Sequence, residues 1–159
     1  MGKEIERKFL VVPGAWRPDP AGGTRYRQGY LSTDPARVVR VRTDGERGFL
    51  TIKGRTTGFT RTEFEYPIPR EDADAMLDHL CAGTLIEKTR YRVDFGGRLW
   101  EVDVFEGENA GLVVAEVELP GETAAVTLPP WAGEEVSHDP RYFNSNLVLH
   151  PYTRWNDGH

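Results

Sequence analysis

A chain of 159 residues, 38% hydrophobic and 28% charged, is long enough for one domain with a core and too apolar to stay disordered. A net charge of -5 argues against nucleic acid as a partner, and the single cysteine, Cys81, excludes an internal disulfide and a cysteine-based metal site. No apolar run approaches the roughly 18 residues of a membrane span, and "MGKEIERK" lacks the apolar core of a signal peptide, so a cytoplasmic protein with no membrane partner is expected.

In chain order, "GKEIERKFLV" alternates charge with apolar residues and reads as a first strand. "WRPDPAGG" is a Pro/Gly loop, and "TRYRQGYLS" a second strand with Tyr26, Gln28 and Tyr30 on one parity. "ARVVRVRTDGERGFLTIKG" reads as a hairpin turning at Asp44-Gly45. "TRTEFEYPI" is a further strand. The one strong helical stretch is "PREDADAMLDHLCAG": Ala73, Met76, Leu77, Leu80 and Cys81 form its apolar stripe, acids crowd its first turn, and Gly83 is the expected stop. Strands resume in "LIEKTRYRVDF", "RLWEVDVFEG" (after a Gly96-Gly97 turn) and "GLVVAEVELP". Asp139 and Pro140 suit the N-cap and first position of a short helix through "RYFNSN". With no linker or repeat, the expectation is about eight antiparallel strands and a helix in one domain, 1–159.

One strand with charges on alternate residues is ordinary solvated surface. Here the pattern recurs: Glu4/Glu6/Lys8, Arg40/Arg42, Lys53, Glu63/Glu65, Lys88/Arg90/Arg92, Glu101/Asp103 and Glu116/Glu118 make eight acids and seven bases. The opposite parity holds Ile5, Phe9, Val39, Val41, Ile52, Phe64, Val102, Val104 and Val117, which also need cover. A sheet closed into a barrel with its apolar face outward, under helices, has a charged lumen. Such a lumen is expensive unless wet and neutralised by ligands. Carboxylates paired at i, i+2 suit hard divalent cations such as Mg²⁺ or Mn²⁺, and paired Arg and Lys suit phosphate oxygens. Metal-dependent polyphosphate chemistry satisfies both.

Glu-x-Glu-x-Lys at Glu4/Glu6/Lys8, followed by "QGYL", "VRVR", "LTIKG", "EFEYPIP", "IEKTRYRV", "WEVDVFEG", "AEVELP" and "RYFNSNL" in order, resembles the short bacterial branch of the CYTH superfamily, the triphosphate tunnel metalloenzymes. The resemblance implies a mainly β, α+β fold: an eight-stranded antiparallel closed tunnel barrel with a charged lumen and a few outer helices. It implies hydrolysis of a triphosphate by a phosphoric anhydride hydrolase, with inorganic tripolyphosphate giving diphosphate and phosphate. The alternatives are a nucleoside or thiamine triphosphatase, a class IV-type adenylyl cyclase (though "HNYFDT" is absent and "GYLSTD" stands there), and a non-catalytic polyphosphate- or nucleotide-binding module.

In family terms Glu4, Glu6, Asp103, Glu116 and Glu118 match metal-binding positions for Mg²⁺ or Mn²⁺. Lys8, Arg40, Arg42, Lys53, Lys88, Arg90 and Arg92 match phosphate-binding positions. Tyr30 resembles a tyrosine viewed, with the lysine represented by Lys53, as a general-base pair in some relatives; Lys8 is the third candidate catalytic residue. Metal-activated water is the competing account, with one metal bridging the phosphates and a second orienting the water. The partner expected is a small triphosphate substrate, and the chain is expected to be a monomer or homodimer.

The remaining features read as structural. Ser137-His138-Asp139 is too contiguous for a triad. His79, His138, His150 and His159 lack zinc spacing. Trp16, Trp100, Trp131 and Trp155 read as packing residues, with Trp155 and Tyr152 candidates to cap one tunnel end. Glu63, Glu65 and Glu101 read as acids that orient lumenal Arg and Lys.

Overall fold

The computed structural model describes residues 2–155; His159 lies outside them. The elements are β1 (Gly2–Val11), β2 (Thr24–Ser32), β3 (Val38–Thr43), β4 (Gly48–Lys53), β5 (Thr60–Ile68), α1 (Arg70–His79), β6 (Ile86–Phe95), β7 (Arg98–Glu106), β8 (Val113–Glu118), β9 (Ala132–Glu135) and α2 (Asn144–Leu147). The sheet order is β5-β4-β3-β2-β6-β7-β8-β1-β9, and β5 also pairs with β1, which closes eight strands into an antiparallel barrel. Strand β1 makes the closure possible by changing partners along its length. Gly2–Ile5 pair with β5 on one side, and farther along the same strand Phe9 and Val11 pair with β9, while Glu6–Leu10 pair with β8 across the other side.

The expected turn chemistry holds. Gly45 in the β3–β4 hairpin and Gly96-Gly97 between β6 and β7 all have positive φ. Asp44 Oδ1 accepts from the backbone N–H groups of Glu46 and Arg47, bracing the hairpin.

The helix predicted to stop at Gly83 ends instead at Leu80, whose N–H donates to the Met76 carbonyl. Gly83 has another duty. Its φ is +67°, and a Cβ there would stand 2.1 Å from the Val148 carbonyl oxygen, so only glycine lets the C-terminal segment approach. The short helix predicted through "RYFNSN" is split: a 3₁₀ turn at Pro140–Tyr142, capped by Asp139, breaks at Phe143 before α2 begins.

The apolar parity does lie outside, but its cover is mostly not helical. Phe9, Trp100, Val102, Ala115 and Val117 pack under Trp16, Leu119, Ala124, Val126 and Trp131, so the segments after β1 and β8 form the lid over this face. Trp131 meets Trp100 edge-on with ring centroids 5.6 Å apart. Helix α1 covers only the smaller face around Val41, with Ala73 and Leu77 buried against it and Cys81 packed alongside.

A third cluster lies inside the barrel. Leu10, Tyr30, Val38, Ile86, Phe105 and Val114 occupy the same strand parity as the lumenal charges and pack against Tyr142, Leu147 and Val148 of the C-terminal segment. Tyr152 and Trp155 pack behind them. One end of the barrel is therefore filled with apolar side chains and the other is charged.

Candidate active site

The charged part of the lumen is a cavity of about 220 Å³. Seven acids line it (Glu4, Glu6, Glu63, Glu65, Glu101, Glu116 and Glu118) together with seven bases (Lys8, Arg40, Arg42, Lys53, Arg61, Lys88 and Arg90). They arrive from several strands because each strand presents every second residue inward. Tyr30, Ser137, Phe143, Asn144 and Ser145 complete part of the wall near the apolar end.

The bases crowd one another. Arg42 lies over the Tyr26 ring at 4.4 Å, and Arg90 lies 5.7 Å from the same ring. Burial, then the neighbouring Arg40 and Arg90 charges, lowers the Arg42 guanidinium to about 10. The buried Nε atoms of Arg40 and Arg42 have no hydrogen-bond partner among the described residues. Arg40 is steadied through Thr51, whose hydroxyl accepts from Arg40 at 3.1 Å and donates to Glu65 at 2.7 Å. Burial lowers Lys88 to about 8 although Asp103 opposes the shift.

The acids crowd too. Burial, then Glu116 and Glu4, raises the Glu6 carboxyl well above its ordinary value. Burial and a hydrogen bond with Glu4 raise Glu63 to about 7. Glu118 is raised by burial and by Glu4 and Glu101. Two acids differ. Burial opposes ionisation of Glu116, but Lys8, Arg90 and Lys88 outweigh it and hold the carboxyl far below its usual range. Glu4 is lowered because Lys53, 3.1 Å from both its oxygens, overcomes burial.

A lumen that penalises both its extra anions and its extra cations fits two missing counter-charges. Crowded carboxylate oxygens suit a hard divalent cation, for which Glu4, Glu6, Glu116 and Glu118 are the available donors from the expected set. Among the described residues no three acid or histidine side chains make a closed metal cage. Mg²⁺ needs none, since it is usually held by one or two carboxylates, with waters and phosphate oxygens completing its shell. The guanidinium groups of Arg40 and Arg42, which line the cavity, suit phosphate oxygens.

Two expected site residues stand apart. Asp103, expected as a metal ligand, is not in the cavity wall: it is 1% exposed, pairs with Lys88 at 2.8 Å and takes a two-pronged contact from Arg90 at 2.8 and 3.0 Å. Both its oxygens are occupied, so it backs the two bases. Arg92 also lies off the wall, with its side chain 49% exposed and its nearest acid, Glu101, 3.9 Å away. Tyr30 and Lys53 share no hydrogen bond: Tyr30 Oη accepts from Gln28 Nε2 at 3.1 Å, while Lys53 holds Glu4. The lysine of the opening motif, Lys8, lies 3.5 Å from Glu116 and 5.7 Å from the Phe143 ring centroid.

Sequence reasoning missed Arg61, which shares the parity of Glu63 and Glu65, lines the cavity and donates to the Gly54 carbonyl. It also missed Asn144 and Ser145, whose place depends on how the C-terminal segment folds back. The contiguous Ser137-His138-Asp139 makes no triad: Ser137 binds the Lys8 N–H and Glu135, His138 stacks on Phe59, and Asp139 holds Arg141.

Residues 2–152 match the CYTH domain family. The chain is 51% identical to an inorganic triphosphatase of Acetivibrio thermocellus over 99% of this chain and 100% of that protein. It is 42% identical to an inorganic triphosphatase of Nitrosomonas europaea over 92% and 97% of the two chains. The crystal structure of the inorganic triphosphatase NE1496 superposes with a TM-score of 0.66 at 39% identity, covering 94% of this chain and 96% of that one. The PH1012 protein of Pyrococcus horikoshii, 20% identical over 75% of this chain and 80% of its own, shares the fold at a TM-score of 0.54. The match over residues 2–152 and the relatives at 51% and 42% identity show that the chain belongs to the CYTH domain family.

Proposed function

We propose that this chain is a metal-dependent triphosphatase that hydrolyses inorganic tripolyphosphate to diphosphate and phosphate. The observation that carries the reading is the crowding of buried acids and bases in a small lumen blocked at one end. A cavity of about 220 Å³ is below the roughly 300–1,000 Å³ of pockets that enclose drug-sized ligands. Its walls are charged, so it suits a short inorganic chain; the base and sugar of a nucleotide would have to stay outside. The named activity of the two relatives, both matched over nearly their whole length, supports the same substrate.

In this reading Arg40, Arg42, Lys88 and Arg90 bind the non-bridging oxygens, and Lys8 and Lys53, paired with Glu116 and Glu4, stand ready to take further ones. Glu4, Glu6, Glu116 and Glu118 hold Mg²⁺ or Mn²⁺, which when bound neutralises phosphate charge and activates water. Asp103 fixes Lys88 and Arg90 from behind, so that the phosphate meets preorganised donors. Water attacks a terminal phosphorus, its bond to the bridging oxygen breaks, and diphosphate leaves. The chain acts as one domain, 1–159, as a cytoplasmic monomer or homodimer. No helix among the described residues is long and apolar enough to cross a membrane.

The test is a panel of tripolyphosphate, ATP, thiamine triphosphate and long polyphosphate, each with Mg²⁺, Mn²⁺ or EDTA. Metal-dependent phosphate and diphosphate from tripolyphosphate is the expected result. Release no greater than that of a Glu4→Gln/Glu6→Gln control would contradict it. Cyclic AMP from ATP, or tight binding without turnover, would favour the cyclase or the non-catalytic reading.

A further inference from the structure

Asn144 opens α2 at the inner end of the cavity. Its Oδ1 accepts from Lys88 Nζ at 3.0 Å and from Gln28 Nε2 at 3.2 Å. An ammonium only donates, so chemistry requires the oxygen of the amide, not its nitrogen, to face Lys88. The choice propagates. Gln28, wholly buried, has to present its own nitrogen to Asn144, and that nitrogen also donates to Tyr30 Oη at 3.1 Å. Asn144 Nδ2 is thereby turned away from Lys88 and Gln28. It donates to no acceptor among the described residues, on a side chain that lines the cavity.

Two neighbouring bases already hold other partners. Lys8 Nζ contacts the Tyr142 carbonyl and Glu116, and Lys88 contacts Asp103 and Asn144 itself. Beyond Asn144 the barrel is filled by the apolar cluster of Ile86, Phe105, Val114 and Leu147. A phosphate reaching this depth has no room for a further unit of chain behind it, so it has to be a terminal one.

We infer that Asn144 is a substrate-binding residue: its Nδ2–H donates to a non-bridging oxygen of the terminal phosphate at the blind end of the lumen. Gln28 is the positioning residue that, with Lys88, holds the amide in the required orientation. The inference rests on the triphosphatase reading and adds to it the means by which a chain end is recognised.

Asn144→Asp separates this role from a structural one. It keeps an acceptor for Lys88 and Gln28 but replaces the free donor with an anionic oxygen. Asn144→Ala removes donor and acceptor alike. If Asn144 only braces its neighbours, Asn144→Asp is the milder change. If it binds phosphate, Asn144→Asp is the more damaging, with KM for tripolyphosphate raised at least about 10-fold, the scale of one hydrogen bond to a charged group. Gln28→Leu, which removes one tether, is expected to raise KM a few-fold with kcat less affected.

A second measurement needs no variant. The side-chain amide signal of Asn144, assigned through its own Cβ in the wild-type protein, is followed while the non-hydrolysable imidotriphosphate is added with Mg²⁺. One amide proton is expected to move downfield on saturation. An unmoved signal at saturation, or an Asn144→Asp KM equal to wild type, would overturn the assignment of Asn144 alone. Wild-type protein that neither binds imidotriphosphate nor hydrolyses tripolyphosphate would overturn the triphosphatase reading, and this assignment with it.

Discussion

Five strands carry the same change within two residues on their inward face: Lys8 to Leu10, Arg40 to Val38, Lys88 to Ile86, Asp103 to Phe105 and Glu116 to Val114. The antiparallel register places all five apolar members at one end of the barrel, where they meet the C-terminal segment. The two halves of the lumen thus have opposite duties. The apolar end is packed and stabilises the fold. The charged end holds groups, Arg42 and Glu6 among them, whose charge burial disfavours. A barrel interior can carry function and core together when they are separated along its axis.

Asp103 sits at the boundary, and breaking it is expected to have the largest effect. Asp103→Ala leaves Lys88 and Arg90 buried without their counter-charge, so stability in chemical denaturation should fall by about 3–5 kcal/mol. Turnover should fall as well, because both bases lose their support. The milder Asp103→Asn should retain more of each.

Within the charged half, function and stability should move apart. Arg42→Gln removes a cation that burial and its neighbours disfavour. Turnover of tripolyphosphate should drop about 10²–10³-fold, as for loss of one preorganised electrostatic group. Thermal melting of the ligand-free protein should stay the same or rise. A large loss of stability would mean that Arg42 is a structural group.

At the apolar end the pattern should reverse. Val114 is 2% exposed and lies two residues from Glu116 on the same face of β8. Val114→Ala should destabilise by about 2 kcal/mol through lost burial and a small void. Below the melting range kcat should be unchanged. A comparable loss of kcat would show that the two halves are not separate.

The strand parities, the hairpin turns and most of the wall were legible in the sequence, because a period of two reports which face a side chain takes. Parity does not report depth. It grouped Asp103 and Arg92 with the wall, although one is sealed behind Lys88 and Arg90 and the other lies near a strand end beside Glu101. It also left the apolar end of the lumen unseen, since Leu10 and Val114 look like any strand residues until register aligns them. Asn144 was hidden for a different reason: nothing local marks a residue that a returning terminal segment carries against Lys88. The cover of the outer face was expected to be helical, but Trp16 and Trp131 reach it from irregular segments that carry no periodic signal.

The smallest expected effect concerns pH and metal. Glu63 is raised to about 7, and Glu6 is also raised, by burial and its acidic neighbours. For Glu63 the unfolded chain binds fewer protons than the folded one between about 4.5 and 7, so stability of the metal-free protein should decline as pH rises through that window. A divalent cation among these carboxylates offsets the penalty. Added Mg²⁺ should therefore raise the melting temperature more above neutrality than in mild acid, as differential scanning fluorimetry would read. An equal rise on both sides would place the metal elsewhere.

The central claim is that the charged half of the lumen is the binding site for metal and polyphosphate together. A crystal structure with imidotriphosphate and Mn²⁺, phased to show the anomalous signal of manganese, tests it most directly. The phosphates should lie against Arg40, Arg42, Lys88 and Arg90, with the anomalous peak at the Glu4 and Glu6 carboxylates. A lumen that stays empty while ligand and metal bind the outer surface would contradict it.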